Sequence, residues 1–375
     1  MAEWREHFMQ SFGPGILAGI DLRDWLRLLR ENRWAVEPRF WSRANAITIN
    51  ALVTSAYRRR EDEILLSKLA KVQVQQPVFV LGHWRTGTTH LHQLLSVDQQ
   101  FASPNVFQTA FPHTFLTTEA RRSKQLGAFL AATRPMDNVK LSFQAPSEDE
   151  FAICTTTFQS PYMSWVFPRR ADDYDRYLTL SGLTEPEIAR WKEALLLFLK
   201  KLTIKYDRPL LLKSPPHTCR IGVLLDMFPD ARFVHIHRHP AAVFQSTVLT
   251  NQALLKLTAL QSASPADWSR RAIVRYRTMY DKFFEEKILI PTGQLHELSF
   301  EDLERDPVGQ VASIYAGLKL EGFAQMEGSL RQYVESLRDY EKNQFADLSP
   351  ELLSELGREW RRCFDEWGYE TKDEG

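Results

Sequence analysis

The chain has 375 residues, 44% of them apolar and 25% charged, with 47 basic side chains against 47 acidic ones. This is ordinary globular composition, long enough for two domains or for one large domain with an extension. A zero formal net charge argues against a protein that lives on a nucleic-acid backbone, which needs a basic excess to displace counterions.

Three cysteines (Cys154, Cys219, Cys363) stand far apart with no C-x-x-C spacing. They predict reduced thiols, with no disulfide framework and no zinc knuckle. The opening "MAEWREHFMQSF" holds no apolar run of signal-peptide length, and no stretch approaches the ~20 apolar residues of a membrane span. The expectation is a soluble, cytoplasmic protein.

Residues 1–75 read as a helical N-terminal extension. "DLRDWLRLLREN" starts on an aspartate cap and repeats Leu and Trp at helical spacing, and "ANAITINALVTSAYRRREDEILLSKLAKV" continues the pattern. Its run "RRREDE" predicts a solvated helix face, with partner binding as the alternative.

At "QQPVFVLG" the texture changes to a short β-branched apolar run between Pro and Gly, which predicts a buried strand, and "TTHLHQLL" then starts a helix. The turn between them, Gly82 to Thr89, nearly spells the phosphate loop G-x-x-x-x-G-K-[ST], but Thr88 stands where the lysine would be and Arg85 is the loop's cation. A strand, a glycine turn and a helix start gather free N–H groups and the positive end of a helix dipole, so the turn suits an anion. Arg85 adds a fork of donors matched to an oxyanion.

Residues 100–208 are rich in aromatics and proline, with mixed helical and loop character. Such an insert either carries the acceptor-binding surface or is a helical cap that completes the core. Beyond it, "RPLLLKSPPHTCRIGVLLDMFPDARFVHIHRHPAAVFQST" runs strand, turn, helix, strand, turn, helix, and "GQLHELSFEDLERDPVGQVASIYAGLKL" adds one more strand and helix. This alternation predicts an α/β domain over 76–375 with a central parallel sheet flanked by helices. A magnesium-dependent kinase or NTPase would place an Asp at a second strand end. Here those ends read "LLLKS" and "FVHIHRHP", so the chemistry called for is transfer of a group other than a phosphoryl, without a metal.

With these residues in view, the chain resembles the sulfotransferases that use 3′-phosphoadenosine 5′-phosphosulfate (PAPS), in particular their bacterial-type branch. "RTGTT" at Arg85–Thr89 is similar to the family's 5′-phosphosulfate loop, and "RHPAAVFQS" places Arg238 and Ser246 eight positions apart, as in its 3′-phosphate signature. "LLLKSPPHT" ends a strand on Lys213, like a lysine near the sulfuryl group in these enzymes, and "DYEKNQF" offers Lys342 for a weaker Lys-Asn match. The likeness spans residues 77–345 and implies a P-loop-like three-layer sandwich, with PAPS as donor and adenosine 3′,5′-bisphosphate (PAP) as product. It implies that Arg85, Thr86, Gly87, Thr88, Thr89, Arg238, Ser246 and Lys342 bind the nucleotide, and that Arg85 and Lys213 act on the transferring or leaving oxygens.

The general base departs from the relatives. Where the small-molecule branch has a His two positions after the strand-end lysine this chain has Pro215, and "SPNVFQTAFPHTF" holds Gln108 and no acid where the protein-tyrosine branch has a Glu. Glu148 or Glu150, in a "PSEDEF" stretch similar to one in the bacterial-type branch, is the favoured base, against the alternative of a helix-capping cluster. His113 and His217 are the runners-up, and Arg134 and Asp137 in "RPMDN" are candidates for the acceptor pocket. The acceptor implied is a hydroxyl- or amine-bearing small molecule or lipid. A nucleotide-binding protein without activity, or a P-loop kinase or NTPase, are the alternatives. Oligomeric state cannot be read from the sequence.

Overall fold

The computed structural model describes residues 13, 15–127, 142–338 and 348–370, which fall into two compact units. One unit comprises residues 76–102, 209–250 and 265–375; the other comprises 1–75, 103–208 and 251–264.

The first unit is built on a four-stranded parallel sheet of β1 (Val78–Leu81), β2 (Leu211–Lys213), β3 (Arg232–His237) and β4 (Leu295–Ser299), in the order β2-β1-β3-β4. The α/β class and the parallel sheet are as expected. β1 is buried along its whole length, which is why it reads as an unbroken apolar run with no polar alternation. Its side chains alternate faces: Val78 and Val80 join Leu91, Leu94, Val234, Ile236, Val311 and Ile314 in one core. Phe79 turns the other way and stacks on Phe233, with ring centroids 5.7 Å apart. After β1 the chain goes to β2 on one side and then returns to β3 on the other, so β1 and β3 flank a switch point. In such sheets ligands bind beyond the carboxyl ends of the strands at that crevice.

The second unit is helical. The Leu22–Glu31 helix is capped by Asp21, whose carboxylate accepts from Asp24 N–H at 2.7 Å, as the sequence pattern predicts. The helix Trp41–Leu69 follows, and the long helix Glu185–Tyr206 begins with a Thr184–Glu187 capping box. Trp25, Phe115, Trp191, Leu195, Phe198 and Leu199 are buried within this unit.

One expectation is corrected here. Arg59, Arg60, Asp62 and Glu63 of the "RRREDE" run are exposed, but Glu61 is fully buried. It pairs with buried Lys201 and accepts from Thr117 N–H at 3.0 Å and Thr117 Oγ1 at 2.8 Å. A basic-then-acidic run hides which member turns inward, because its partner lies some 140 positions along the chain.

Candidate active site

The turn after β1 is shaped by backbone requirements. Gly82 has φ +143°, and a Cβ there would lie 2.5 Å from Ile236 carbonyl oxygen and 2.7 Å from Thr86 Oγ1. The turn is tied down by Gly82 N–H donating to Thr218 Oγ1 at 2.7 Å, His83 N–H to Tyr280 OH at 3.1 Å, and Thr86 Oγ1 to His83 carbonyl at 2.8 Å. Arg85 (φ +73°) and Gly87 (φ +96°) both take left-handed conformations, on either side of Thr86. An arginine pays roughly 1–2 kcal/mol to stay there, and such outliers gather at ligand sites. Gly87 then caps the Thr88–Leu95 helix, whose first N–H groups have no partner within the helix and sit at its positive end.

Cations and hydroxyls from three strand ends meet at this turn. Arg85 Nε donates to Ser246 Oγ at 2.7 Å, and Arg238 Nη1 donates to the Arg85 carbonyl at 3.4 Å. The Arg238 guanidinium lies over the Phe300 ring, 4.4 Å from its centroid. Burial draws its pKa below the usual arginine value, with Glu301 and Glu304 pulling it back up. Lys213, buried at the end of β2, donates to Thr89 Oγ1 at 3.3 Å. Five residues singled out in the sequence are thus joined in two sets at this turn, Arg85 with Ser246 and Arg238, and Lys213 with Thr89.

His83 supports the turn from beneath. It is almost fully buried, its Nδ1 lies 2.8 Å from the Trp84 carbonyl, and burial pushes its pKa down to about 3, so the ring is neutral at neutral pH. Neither its role nor those of Thr218, Tyr280 and Phe300 was read from the sequence. Phe300 and Glu301 directly follow β4, and a strand-end position beside β3 is the signal that could have found them.

The base candidates lie in different surroundings. His217 belongs to the unit with the sheet, fully buried and edge-on to Phe79 at 5.4 Å. The others belong to the helical unit. His113 packs beside Asp21 and Asp24, with ligand atoms of the three within 4.8 Å of one another. Burial, with Arg58 and Lys201 nearby, drives its pKa well below the usual histidine value. Asp149 and Glu150 are fully buried at the start of the Glu150–Thr157 helix, whereas Glu148 is half-buried and accepts a hydrogen bond from Tyr162 OH. Arg134, Asp137 and Lys342 lie outside the described residues.

The three cysteines are free thiols, all buried, and no helix among the described residues is long and apolar enough to cross a membrane. Residues 77–325 match the model of a family described as "Sulfotransferase family". Two curated proteins, from Mycobacterium bovis and Mycobacterium tuberculosis, are each named omega-hydroxy-beta-dihydromenaquinone-9 sulfotransferase Stf3. Each is 33% identical to this chain over 371 residues, covering 99% of this chain and 94% of its own. Among solved structures, sulfotransferase STF9 from Mycobacterium avium aligns with a TM-score of 0.73 at 19% identity, covering 96% of this chain and 95% of its own. STF1 from Mycobacterium tuberculosis H37Rv aligns at 0.65 with 18% identity, covering 90% and 91%. At these identities the two structures speak for a shared fold.

Proposed function

The chain belongs to the sulfotransferase family, and from that premise we propose that it moves a sulfuryl group from PAPS to a hydroxyl of a lipid-like acceptor, without a metal. One observation carries the reading: Arg85 contacts Ser246 through its side chain and Arg238 through its carbonyl, which brings together the two motifs expected for the two ends of the nucleotide's phosphates.

The donor set fits PAPS. Two guanidinium groups, an ammonium, several hydroxyls and a helix N-terminus answer two separate oxyanions. Cations Lys213 and Arg238 occupy the strand ends where a magnesium site would need an aspartate. Arg85 with the N–H groups of Gly87, Thr88 and Thr89 binds the phosphosulfate, and Arg238 with Ser246 binds the 3′-phosphate. PAPS supplies a sulfuryl group activated by its link to phosphate. Arg85 and Lys213 hold positive charge where negative charge grows on the departing oxygen, and held donors of this kind need no rearrangement as reaction proceeds. Among the base candidates Glu148 takes the acceptor proton in this reading. It keeps partial exposure while Asp149 and Glu150 are sealed, and His217 is packed into the core of the sheet.

The acceptor class follows from the relatives. The two Stf3 proteins are named for a hydroxylated menaquinone derivative, and 33% identity over nearly the whole chain supports a lipid-like hydroxyl acceptor.

The test is calorimetric titration with PAP in the presence of EDTA, followed by sulfate transfer from labelled PAPS to a hydroxylated menaquinone analogue. Binding without metal and loss of transfer in Arg85→Ala are expected. No heat, with no competition between PAP and PAPS, would overturn the proposal.

A further inference from the structure

Arg238 is the third cation of the site, and its two chain neighbours are both held by the C-terminal end of the described chain. The Arg361–Trp367 helix stops at Gly368, whose φ of +66° is the left-handed turn expected after a helix. The reversal lets Tyr369 N–H donate to the Phe364 carbonyl at 3.0 Å and turns Tyr369 back over the end of β3.

There the phenol makes two bonds. Its OH donates to Glu301 Oε2 at 2.9 Å, and His237 Nδ1 lies 2.9 Å from the phenol oxygen of Tyr369. A phenol has one proton, so with that proton donated towards Glu301 the histidine must donate to the phenol oxygen, which places its own proton on Nδ1. Trp367 fixes the imidazole further, stacking parallel to it at 4.7 Å. On the other side of Arg238, His239 N–H donates to Glu301 Oε1 at 3.2 Å, and the His239 ring meets the Tyr369 ring edge-on at 5.3 Å.

We propose that Tyr369 is a positioning residue for Arg238: it holds the His237 side chain directly and the His239 backbone through Glu301, and so aims the guanidinium at the nucleotide's 3′-phosphate. This rests on the PAPS reading above. Tyr369 itself touches no reacting atom. Its effect is confined to recognition of the one phosphate that Arg238 receives.

That confinement supplies the test. Affinities for PAP and for AMP, which lacks the 3′-phosphate, are measured by calorimetry on the full chain for wild type, Tyr369→Phe and Glu301→Gln. Loss of one charge-assisted hydrogen bond predicts about a tenfold weaker PAP affinity in Tyr369→Phe with AMP affinity unchanged. The KM for PAPS rises to match while kcat stays within about twofold. Tyr369→Phe keeps the ring contacts, and an unchanged urea midpoint identifies the effect as local. Glu301→Gln, which removes the shared charge, shifts PAP affinity in the same direction. Unchanged PAP affinity in both variants would overturn the inference, as would equal losses for PAP and AMP, which would mark a general structural role. Equal wild-type affinity for PAP and AMP would instead overturn the donor reading, and this inference with it.

Discussion

Replacing Gly87 by alanine puts a methyl group where the turn has no room for one. The residue's φ of +96° lies in the left-handed region, where a side chain costs roughly 1–2 kcal/mol. The new carbon would stand 2.3 Å from Phe300 Cδ2 and 2.9 Å from Cε2, so either the ring or the turn must move. Overpacking of this kind costs about 1–3 kcal/mol, giving a total of roughly 2–5 kcal/mol. Phe300 also carries the Arg238 guanidinium on its face, so displacement of the ring is passed to a cation proposed to bind the nucleotide. Urea unfolding run beside PAP titration reads both effects: a lower midpoint and at least tenfold weaker binding are expected. Adding Phe300→Ala removes the obstructing ring and leaves only the backbone cost. The double variant is then less destabilised than the sum of the singles by about 1–3 kcal/mol. Wild-type stability and binding in Gly87→Ala would refute the geometry of the turn, and strict additivity would refute the clash as the cause.

Glu61→Gln leaves Lys201 charged and buried without its counter-ion, which predicts a loss of about 3–5 kcal/mol in urea unfolding. Combining it with Lys201→Met is expected to recover part of that loss. Glu148→Gln is expected to lower kcat by about 10²–10⁴-fold with little change in PAP affinity, and an unchanged kcat would reject Glu148 as the base. His83 titrates near 3 when folded and near 6.5 when unfolded, so below pH 6.5 the unfolded chain binds the extra proton. Stability therefore falls as pH drops, by about 1.4 kcal/mol per pH unit from this group, and His83→Asn flattens the slope measured between pH 6 and 4.5 by that amount.

Strands were legible where burial on both faces erased polar alternation, as in "VFVL", and helices where caps and spacing agreed, as at Asp21. Strand order was not, because parallel neighbours such as Val78 and Leu211 meet through pairings that leave no local mark. The site shows the same divide. Arg85, Arg238 and Ser246 could be picked out because they match, at fixed offsets from a strand end, the motifs of the family the chain resembles. Phe300, Thr218 and Tyr280 act by packing or by a single hydroxyl, and nothing in their own neighbourhoods announces it. The burial of Glu61 likewise depends on a partner distant in the chain, so acidic runs looked alike from within.

The central position of β1 has a consequence for synthesis. Its neighbours β2 and β3 begin about 130 and 150 residues later, and Phe300, which backs both Gly87 and Arg238, comes later still. At ordinary translation speeds β1 waits on the order of ten seconds on the ribosome with no strand to pair with. During that interval the segment "VFVLG" is a naked apolar strand, the kind of element that associates with other chains. Free nucleotide cannot rescue it, since of the three cations proposed to hold the ligand only Arg85 has been made, and Lys213 and Arg238 have not yet been translated. This protein's yield in a cell is therefore expected to depend on chaperone capacity far more than on donor supply.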